Sequence, residues 1–321
     1  MRAAIGAALF GACLALSAPA HATYPERSVQ LIVPFTAGGA ADVMARVLAK
    51  ELETRLGQSF VVVNKPGGGT AVGALATINA APDGYTIFLS SNSTFSINPA
   101  IMSKLSYDPV TQFEPIAAAG GLALALLARA DSPLDSVKDV VATAKADPKK
   151  LLFASFGNGT VPHFAGEMFK AMAQIEMTHV PYRGSAPAMT DLLAGQVPLS
   201  IDTVVAAKPY IEAGKIKALA VTTGKRAALL PAVPTFAELG YSGYDISSWV
   251  AFVGPKGMAA EAKAKLREAI KAIMTDRQVR ERLVTLGFEP DYGPLDDWTE
   301  YVAKDIARMR EIASKAQIKG D

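Results

Sequence analysis

The sequence predicts an α/β protein of two lobes that enclose a cleft between them. Short apolar runs alternate with amphipathic stretches in the order β–α–β–α–β, and this order occurs twice along the chain. Two extended segments, residues 116–128 and 246–253, connect the two units and predict a hinge of two segments. We expect the first lobe to comprise residues 23–124 with 248–321, and the second lobe to comprise residues 125–247.

Each element follows from the spacing of apolar residues. Val43, Val47 and Leu52 fall on one helical face, and Gly57 ends that helix. The first unit is predicted to contain, in order, strand 29–33, helix 40–56, strand 60–63, helix 72–80 and strand 86–89. The second unit is predicted to contain strand 151–154, helix 161–173, strand 177–180, helix 186–194 and strands 199–201 and 217–221. Apolar stripes over 262–273 and 296–312 predict two further helices that pack on the first lobe.

The first 22 residues have the pattern of a secretory signal peptide. Arg2 gives a positive start, residues 3–17 are apolar but too few to span a bilayer, and Ala20-His21-Ala22 is a small-x-small cleavage pattern. We therefore expect export to the periplasm, with a mature chain that begins near Thr23. The only cysteine, Cys13, is lost with the signal, so the mature chain can form no disulfide. A lipoprotein anchored at Cys13 and a buried N-terminal helix fit less well, because the lipobox is poor and the run has no polar face.

The composition argues against several classes of protein. Lys and Arg number 32 against 30 Asp and Glu, a near-neutral balance that argues against nucleic acid as a partner. No later apolar run is long enough to cross a membrane, and we expect a soluble monomer. Only His163 and His179 remain outside the signal, with no H-E-x-x-H motif, so neither a metal site nor a cofactor is expected.

Motifs typical of enzymes are missing from the sequence. The Walker A loop, the G-x-G-x-x-G fingerprint and the G-x-S-x-G elbow do not occur, and we expect the protein not to be an enzyme. A catalytic triad is recognised by its geometry rather than by its spacing in sequence. An exported hydrolase that uses Ser155 or Ser185 with His163 therefore stays open as an alternative.

Four loops rich in Gly, Ser and Thr each follow a predicted strand and precede a predicted helix. They lie at residues 36–39, 67–70, 157–160 and 183–186. Open α/β sheets bind ligands at the carboxyl ends of their strands, and free amides at a helix start attract anions. One such glycine loop is often only structural, but four on facing edges of two sheets predict a cleft for a small ligand with two polar ends.

Individual side chains near these loops have a structural and a functional interpretation. Asp42 either complements the start of its helix or shapes the first loop around a ligand. His163, as a neutral ring, could donate to a ligand carboxylate, and Arg183 could meet one, although an exposed Arg is the commoner outcome. Phe35 and Trp249 either wall the pocket or belong to the core.

The predicted ligand-binding residues come from the loops of both lobes. They are Phe35, Ala37, Gly38, Gly39, Asp42, Gly69, Thr70, Ser91, Gly157, Gly159, Thr160, His163, Tyr182, Gly184, Ser185, Ala186 and Asp202.

At these loops the sequence resembles the periplasmic receptors of tripartite tricarboxylate transporters, the Bug receptor family. The resemblance covers nearly the whole mature chain. It is carried by residues 34–42 (PFTAGGAAD), 81–86 (APDGYT), 157–167 (GNGTVPHFAGE) and 180–188 (VPYRGSAPA).

The resemblance implies a type II periplasmic-binding-protein fold that closes like a flytrap. It further implies a receptor that delivers a small carboxylate (a dicarboxylate or tricarboxylate, an acidic amino acid or an aromatic acid) to the membrane subunits of the transporter. In such receptors the first loop, here 37–39, holds the carboxylate through main-chain groups and waters, while 157–160 and 182–186 contribute from the second lobe. A sensor that feeds a two-component system is the alternative, because it needs the same clamp.

Two stretches depart from the pattern of this family. Residues 64–70 (NKPGGGT) often contain Arg and fewer glycines in relatives, and this stretch lies on the cleft side. Pro198 stands where an acidic residue is common, at the start of a predicted strand. The first departure bears on which carboxylate is bound.

Overall fold

Two separate β-sheets form the framework of the protein. The computed structural model describes residues 24–147, 150–291, 293 and 295–319, so the predicted signal peptide lies outside the described residues. The first sheet has six strands in the order β11-β4-β10-β3-β1-β2, and the second has five in the order β7-β6-β8-β5-β9. The strands of the first sheet are β1 (Val29–Val33), β2 (Phe60–Asn64), β3 (Thr86–Ser91), β4 (Phe113–Leu122), β10 (Ser248–Pro255) and β11 (Phe288–Glu289). Those of the second are β5 (Leu124–Arg129), β6 (Leu152–Ser155), β7 (Thr178–Pro181), β8 (Leu199–Thr203) and β9 (Ile216–Val221).

Helices cover both sheets. Those that follow strands of the first sheet are α1 (Ala40–Leu56), α2 (Ala71–Ile78), α3 (Asn98–Ile101), α8 (Ala260–Thr275), α9 (Arg277–Leu286) and α10 (Trp298–Ala316). Those of the second lobe are α4 (Val137–Ala146), α5 (Val161–Ala173), α6 (Ser185–Leu193) and α7 (Val204–Glu212). A short 3-10 turn spans Gly68–Thr70, and a π-helical segment spans Ser93–Ile97. Among the described residues, no helix is both long and apolar enough to cross a membrane.

Three neighbouring strands of each sheet run parallel, as the repeated strand–helix order predicts. β1 pairs in parallel with β2 and β3, and β6 pairs in parallel with β7 and β8. Their carboxyl ends therefore lie at one edge of each sheet, where the glycine loops follow them. β10 and β5 are antiparallel to their neighbours, because the chain enters them from the other lobe.

Two chain segments cross between the lobes. β4 ends at Leu122 and β5 begins at Leu124, so a single residue, Ala123, joins the two sheets. The return crossing enters β10 at Ser248, which pairs with Leu122. The predicted two-lobed α/β class with a two-segment hinge is thus confirmed, while β4, β5 and β10 show that the crossings are themselves sheet strands.

The C-terminal helix α10 packs on both lobes and not only on the first. Trp298 and Val302, in its first half, join the first-lobe cluster around Phe95. Met309 and Ala313, in its second half, join the core of the second lobe. The prediction that this helix belongs to the first lobe was therefore incomplete, because its apolar stripe continues beyond the residues that the first lobe covers.

Two helices of the second lobe, α4 and α7, were not predicted, although both have start signals in the sequence. Ser136 accepts a hydrogen bond from the Asp139 amide at 3.2 Å, in a Ser-x-x-Asp pattern at the start of α4. Thr203 caps α7 in the same way through the Ala206 amide, at 3.3 Å. These caps could have located both helices.

Candidate functional site

The glycine loops of the two lobes meet across the cleft. A Cβ atom added at Gly184 would lie 2.3 Å from Thr36 Oγ1, and one added at Gly159 would lie 1.9 Å from Asn98 Oδ1. Both glycines have positive φ angles (157° and 74°), so the backbone there is also strained for any other residue. Only glycine lets the second lobe approach the first this closely, and the lobes are closed in this structure.

The closed lobes enclose a small inner cavity at the carboxyl ends of the strands. Its volume is about 30 Å³. Its lining residues come from both lobes and from the hinge: Phe35, Gly39, Ala40, Ala41, Ser90, Ser91, Ser93, Leu122, Leu124, Phe156, Val161, Pro162, Ser185, Thr203, Ser248 and Val250. None of these described lining residues has an ionisable side chain.

Helix starts supply the electrostatic character of this cavity. The first residues of α1, α5 and α6 line it, and so does Thr203, which precedes α7. The residues before α1, α5 and α6 (Gly39, Thr160 and Gly184) make no side-chain cap. The first amide of α5 donates to Ser93 Oγ at 3.0 Å, so α1 and α6 supply the uncapped starts at the cavity. Because the first amides of a helix point outward with partial positive charge, these two starts favour an anion without any cationic side chain.

The buried carboxylate of Asp42 holds the first loop in place through hydrogen bonds. It is 3% exposed, and its carboxylate accepts hydrogen bonds from the Gly38 amide at 3.0 Å, from Arg46 Nε at 2.9 Å and from Asn64 Nδ2 at 3.0 Å. Asn64 Nδ2 also donates to the Phe35 carbonyl at 3.0 Å. Burial raises the pKa of Asp42, but the hydrogen bonds from Arg46, Gly38 and Asn64 outweigh it and hold the pKa below its usual range. Asp42 is therefore an ionised brace for residues 35–38.

In the second lobe, Asp202 of β8 is a buried carboxyl group with different partners. It is fully buried, and its carboxyl group accepts hydrogen bonds from Ser185 Oγ at 2.7 Å and from the Thr203 amide at 2.6 Å. Burial raises the pKa of Asp202 to about 7, although these hydrogen bonds act to lower it. Asp202 does not line the cavity itself but orients two residues that do.

His163 lies behind the third loop and does not face the cavity. Its Nδ1 accepts a hydrogen bond from the Gly159 amide at 3.3 Å, and its ring stacks on His179 with 4.2 Å between centroids. Burial, with a contribution from nearby Lys170, lowers the pKa of His163 to about 4. Burial, together with His163 and Lys170, lowers that of His179 to about 3. Both rings are therefore neutral at pH 7.

The same geometry argues against the hydrolase alternative. Ser155 Oγ lies 2.6 Å from His179 Nε2, so its partner is not the predicted His163, and Ser155 is fully buried away from the cavity. Ser185 does line the cavity, but its hydroxyl donates to Asp202 and not to a histidine. Neither serine is thus an accessible nucleophile with an adjacent base.

A wider outer groove opens beside the glycine-rich loop 67–70. Its volume is about 850 Å³, and Lys104 and Arg183 are the charged residues among its described lining. Thr70 takes a positive φ of 92° and is held by hydrogen bonds from Thr94 Oγ1 at 2.8 Å and Asn98 Nδ2 at 3.2 Å. The groove therefore presents positive charge at the mouth of the cleft.

The predicted site residues divide into three groups. Phe35, Gly39, Ser91 and Ser185 line the inner cavity, and Gly69, Thr70, Gly157 and Tyr182 line the outer groove, which Phe35 also reaches. The others lie behind or between these surfaces and line neither: Ala37, Gly38, Asp42, Gly159, Thr160, His163, Gly184, Ala186 and Asp202. Trp249 stacks on Phe95, with 5.6 Å between ring centroids, and so packs in an aromatic cluster.

Three further residues, Phe156, Ser93 and Ser248, line the inner cavity and were not predicted. Phe156 directly follows β6 and packs edge-on against Phe35 across the cleft, at 6.0 Å between centroids. Ser93 follows β3 in a serine-rich run, 90–93, that could have marked it. Ser248 carried no local signal, because it reaches the site only through the return crossing.

Two lobes, a two-strand hinge and an enclosed cavity between helix starts define a two-lobed periplasmic binding protein. The family model described as "Tripartite tricarboxylate transporter family receptor" matches residues 44–318. Protein BugT of Bordetella pertussis is 36% identical over 313 residues, which is 96% of this chain and 96% of BugT. The chain therefore belongs to the tripartite tricarboxylate transporter receptor family, whose members are periplasmic solute-binding receptors rather than enzymes.

Solved structures agree with this assignment. The structure of R. palustris Rpa4515 with adipate superimposes with a TM-score of 0.88 at 36% identity, covering 92% of this chain and 99% of that one. MatC from Rhodopseudomonas palustris with bound malate superimposes with a TM-score of 0.83 at 29% identity, covering 90% of this chain and 99% of that one. The resemblance inferred from the loops is thus confirmed over nearly the whole chain.

Proposed function

We propose that this protein is an extracytoplasmic receptor that binds a small carboxylate between its lobes and delivers it to the membrane subunits of a tripartite tricarboxylate transporter. The observation that carries the proposal is the inner cavity, where the uncapped starts of α1 and α6 converge and the described lining has no ionisable side chain. Such a site stabilises an anion through main-chain amides. The carboxylates bound by the two solved relatives are of the same chemical kind.

The remaining features are consistent with this role. The first 22 residues supply an export signal that is removed, leaving a monomeric receptor in the periplasm. Lys104 and Arg183 at the outer groove attract an anion toward the cleft before it closes. The hinge at Leu122–Leu124 and Ser248 lets the lobes open and admit the ligand.

The proposal is tested by thermal unfolding of the chain from residue 23 with a panel of monocarboxylates, dicarboxylates and tricarboxylates. A ligand at 100 times its Kd stabilises the folded state by about 2.7 kcal/mol, which is a readily measured rise in Tm. No rise with any acid of the panel would contradict the carboxylate class.

Closure is tested separately with a pair of glycine variants. Gly159→Ala places a methyl group against Asn98 Oδ1, so we expect at least about tenfold weaker binding of any acid that the panel identifies. Gly243→Ala is the matched control, because Gly243 also has a positive φ (83°) but has open space around its Cβ position. Equal affinity in the two variants would show that closure at this seam is not part of binding.

A further inference from the structure

The hydroxyl groups that line the inner cavity differ in whether their hydrogens are already used. A serine or threonine hydroxyl has one hydrogen to donate and two lone pairs to accept. The partners of each hydroxyl therefore show which of them has a hydrogen left for a ligand. The hydroxyl-bearing lining residues are Ser90, Ser91, Ser93, Ser185, Thr203 and Ser248.

Three of these hydroxyls donate to fixed side chains of the protein. Ser185 Oγ donates to Asp202 Oδ2 at 2.7 Å, and Thr203 Oγ1 donates to Asp202 Oδ1 at 3.3 Å. Ser248 Oγ donates to Asn92 Oδ1 at 3.3 Å. With Asp202 ionised, these three groups can therefore only accept toward the cavity.

Ser90 donates as well, through a chain of hydroxyls. Ser90 Oγ lies 2.6 Å from Thr94 Oγ1, and Thr94 Oγ1 gives its own hydrogen to Thr70 Oγ1 at 2.8 Å. Because Thr94 has no second hydrogen, Ser90 must be the donor of the first bond. The hydrogen of Ser90 is thus directed into the first lobe.

Ser91 and Ser93 differ from the other four. Ser91 Oγ accepts from the Ser93 amide at 3.3 Å, and Ser93 Oγ accepts from the Val161 amide of the other lobe at 3.0 Å. Within the described part of the chain, no group accepts a hydrogen from either hydroxyl. Both side chains line the cavity and are buried, at 6% and 1% exposure. A buried hydroxyl hydrogen without an acceptor is costly, so a ligand acceptor is the natural partner for each.

We propose that the hydroxyls of Ser91 and Ser93 together hold a carboxylate of the ligand, and that this ligand has a hydrocarbon body and no ammonium group. The inference rests on the proposed receptor function and narrows its ligand class. Two adjacent donors match the two oxygens of a carboxylate. Because Ser93 also receives the Val161 amide, a ligand held there would be bound at the contact that joins the lobes.

The apolar residues in the rest of the cavity lining favour a ligand with a hydrocarbon body. Leu122, Leu124 and Val250 form its hinge side, and Phe35 and Phe156 form its wall toward the outer groove. Apolar ligand atoms gain free energy when they are buried against such side chains.

The lining likewise disfavours an ammonium group. No carboxylate is among the described lining residues, and Asp202 is separated from the cavity by Ser185 and Thr203. The uncapped helix starts also carry partial positive charge toward the cavity. A buried cation without a partner is strongly unfavourable, so an amino acid should bind poorly.

The donor pair is tested by calorimetric titration with the acid that gives the largest rise in Tm. Ser91→Ala should weaken binding about tenfold to a hundredfold, the value of a hydrogen bond to a charged group. Ser91→Thr keeps the hydroxyl and should restore most of the affinity. Ser96→Ala is the matched control, since Ser96 lies in the same π-helical segment as Ser93 but donates to Asp305 and does not line the cavity. Wild-type affinity in Ser91→Ala, with a stable fold, would overturn the assignment while leaving the receptor function intact.

The ligand class is tested with pairs that share a carbon skeleton: glutarate against glutamate and propionate against alanine. In any pair that binds, the acid without the ammonium group should bind at least about tenfold more tightly. Equal or tighter binding of glutamate or alanine would overturn the inference and still support a carboxylate receptor. If none of a wide panel of carboxylates bound, the proposed receptor for carboxylates would fall, and this inference with it.

Discussion

The two faces of the cleft are built from the same local plan, a strand, a glycine loop and a helix start, but they are braced by different chemistry. On the first lobe, Asp42 is ionised and paired with Arg46 at 2.9 Å. On the second lobe, Asp202 is buried among neutral donors with its pKa raised to about 7, and the neighbouring loop is backed by the neutral rings of His163 and His179. The loop of the first lobe is held by an ionised carboxylate, whereas the second lobe is braced by neutral hydrogen-bond donors and neutral rings.

This difference determines how each face responds to pH. The pKa of Asp42 lies below its usual range, so the first face keeps its charged brace at any pH above about 4. Asp202 changes its charge near neutrality, so the second face changes within the physiological range. pH should therefore act on the cleft through the second lobe.

The largest effect is expected where the charged brace is removed. Asp42→Ala leaves the Gly38 amide without its acceptor and removes one of the two acceptors of Asn64 Nδ2, and should lower the free energy of unfolding by about 2–4 kcal/mol at pH 7. The contribution of a carboxylate with a depressed pKa is present above its unfolded pKa and is lost as pH falls through the folded value. The difference between variant and wild type, measured by urea denaturation, should therefore shrink below about pH 4.

Arg46→Ala is the control for this variant. The Arg46 side chain is 54% exposed, so its ion pair is screened and the loss should stay below about 1 kcal/mol. Equal losses in the two variants would mean that the ion pair, and not the bracing of the loop, accounts for the role of Asp42.

A smaller effect of opposite direction is expected at Asp202. A carboxyl group with a raised pKa does not reduce stability below its unfolded pKa of about 4, and costs stability as pH rises toward the folded value of about 7. Asp202→Asn removes this penalty, so the stability of the variant relative to wild type should improve by about 1–3 kcal/mol between pH 5 and pH 8.

His163 and His179, whose pKa values are lowered, reduce the stability of the protein as pH falls below about 6.5. Both histidines are present in wild type and variant, so their contribution cancels in the difference in stability. A constant difference between pH 5 and pH 8 would show that Asp202 is ionised throughout, like Asp42.

The fold and the position of the cleft could be predicted because they follow from local patterns. Apolar periodicity located the helices α1 and α5, and the glycine loops marked the carboxyl ends of the strands. The direction in which a side chain points is not determined by the local sequence. His163 lies in the first turn of α5, as predicted, but its ring is turned to His179 by a contact 16 residues further along the chain.

The inner cavity was less predictable for the same reason. Ser93 and Phe156 belong to the site only because the lobes close, bringing the Val161 amide to Ser93 and Phe35 to Phe156. The sequence around Asp202 places it at the end of a strand, but its hydrogen bond from Ser185 depends on which residues surround β8 in three dimensions. Such properties arise from packing between distant segments.

The smallest and most specific effect is expected in ligand affinity. Asp202 contacts Ser185 and Thr203, both of which line the cavity, so its ionisation places a negative charge one hydrogen bond away from a bound anion. The affinity for the carboxylate should therefore fall about threefold to tenfold between pH 6 and pH 8 in the wild type and stay nearly constant in Asp202→Asn, as measured by calorimetric titration at constant ionic strength. Asp42 stays ionised over this range and cannot produce the change. A fall of equal size in both proteins would place the titrating group on the ligand or on the first face, and the contrast between the two faces would then not extend to binding.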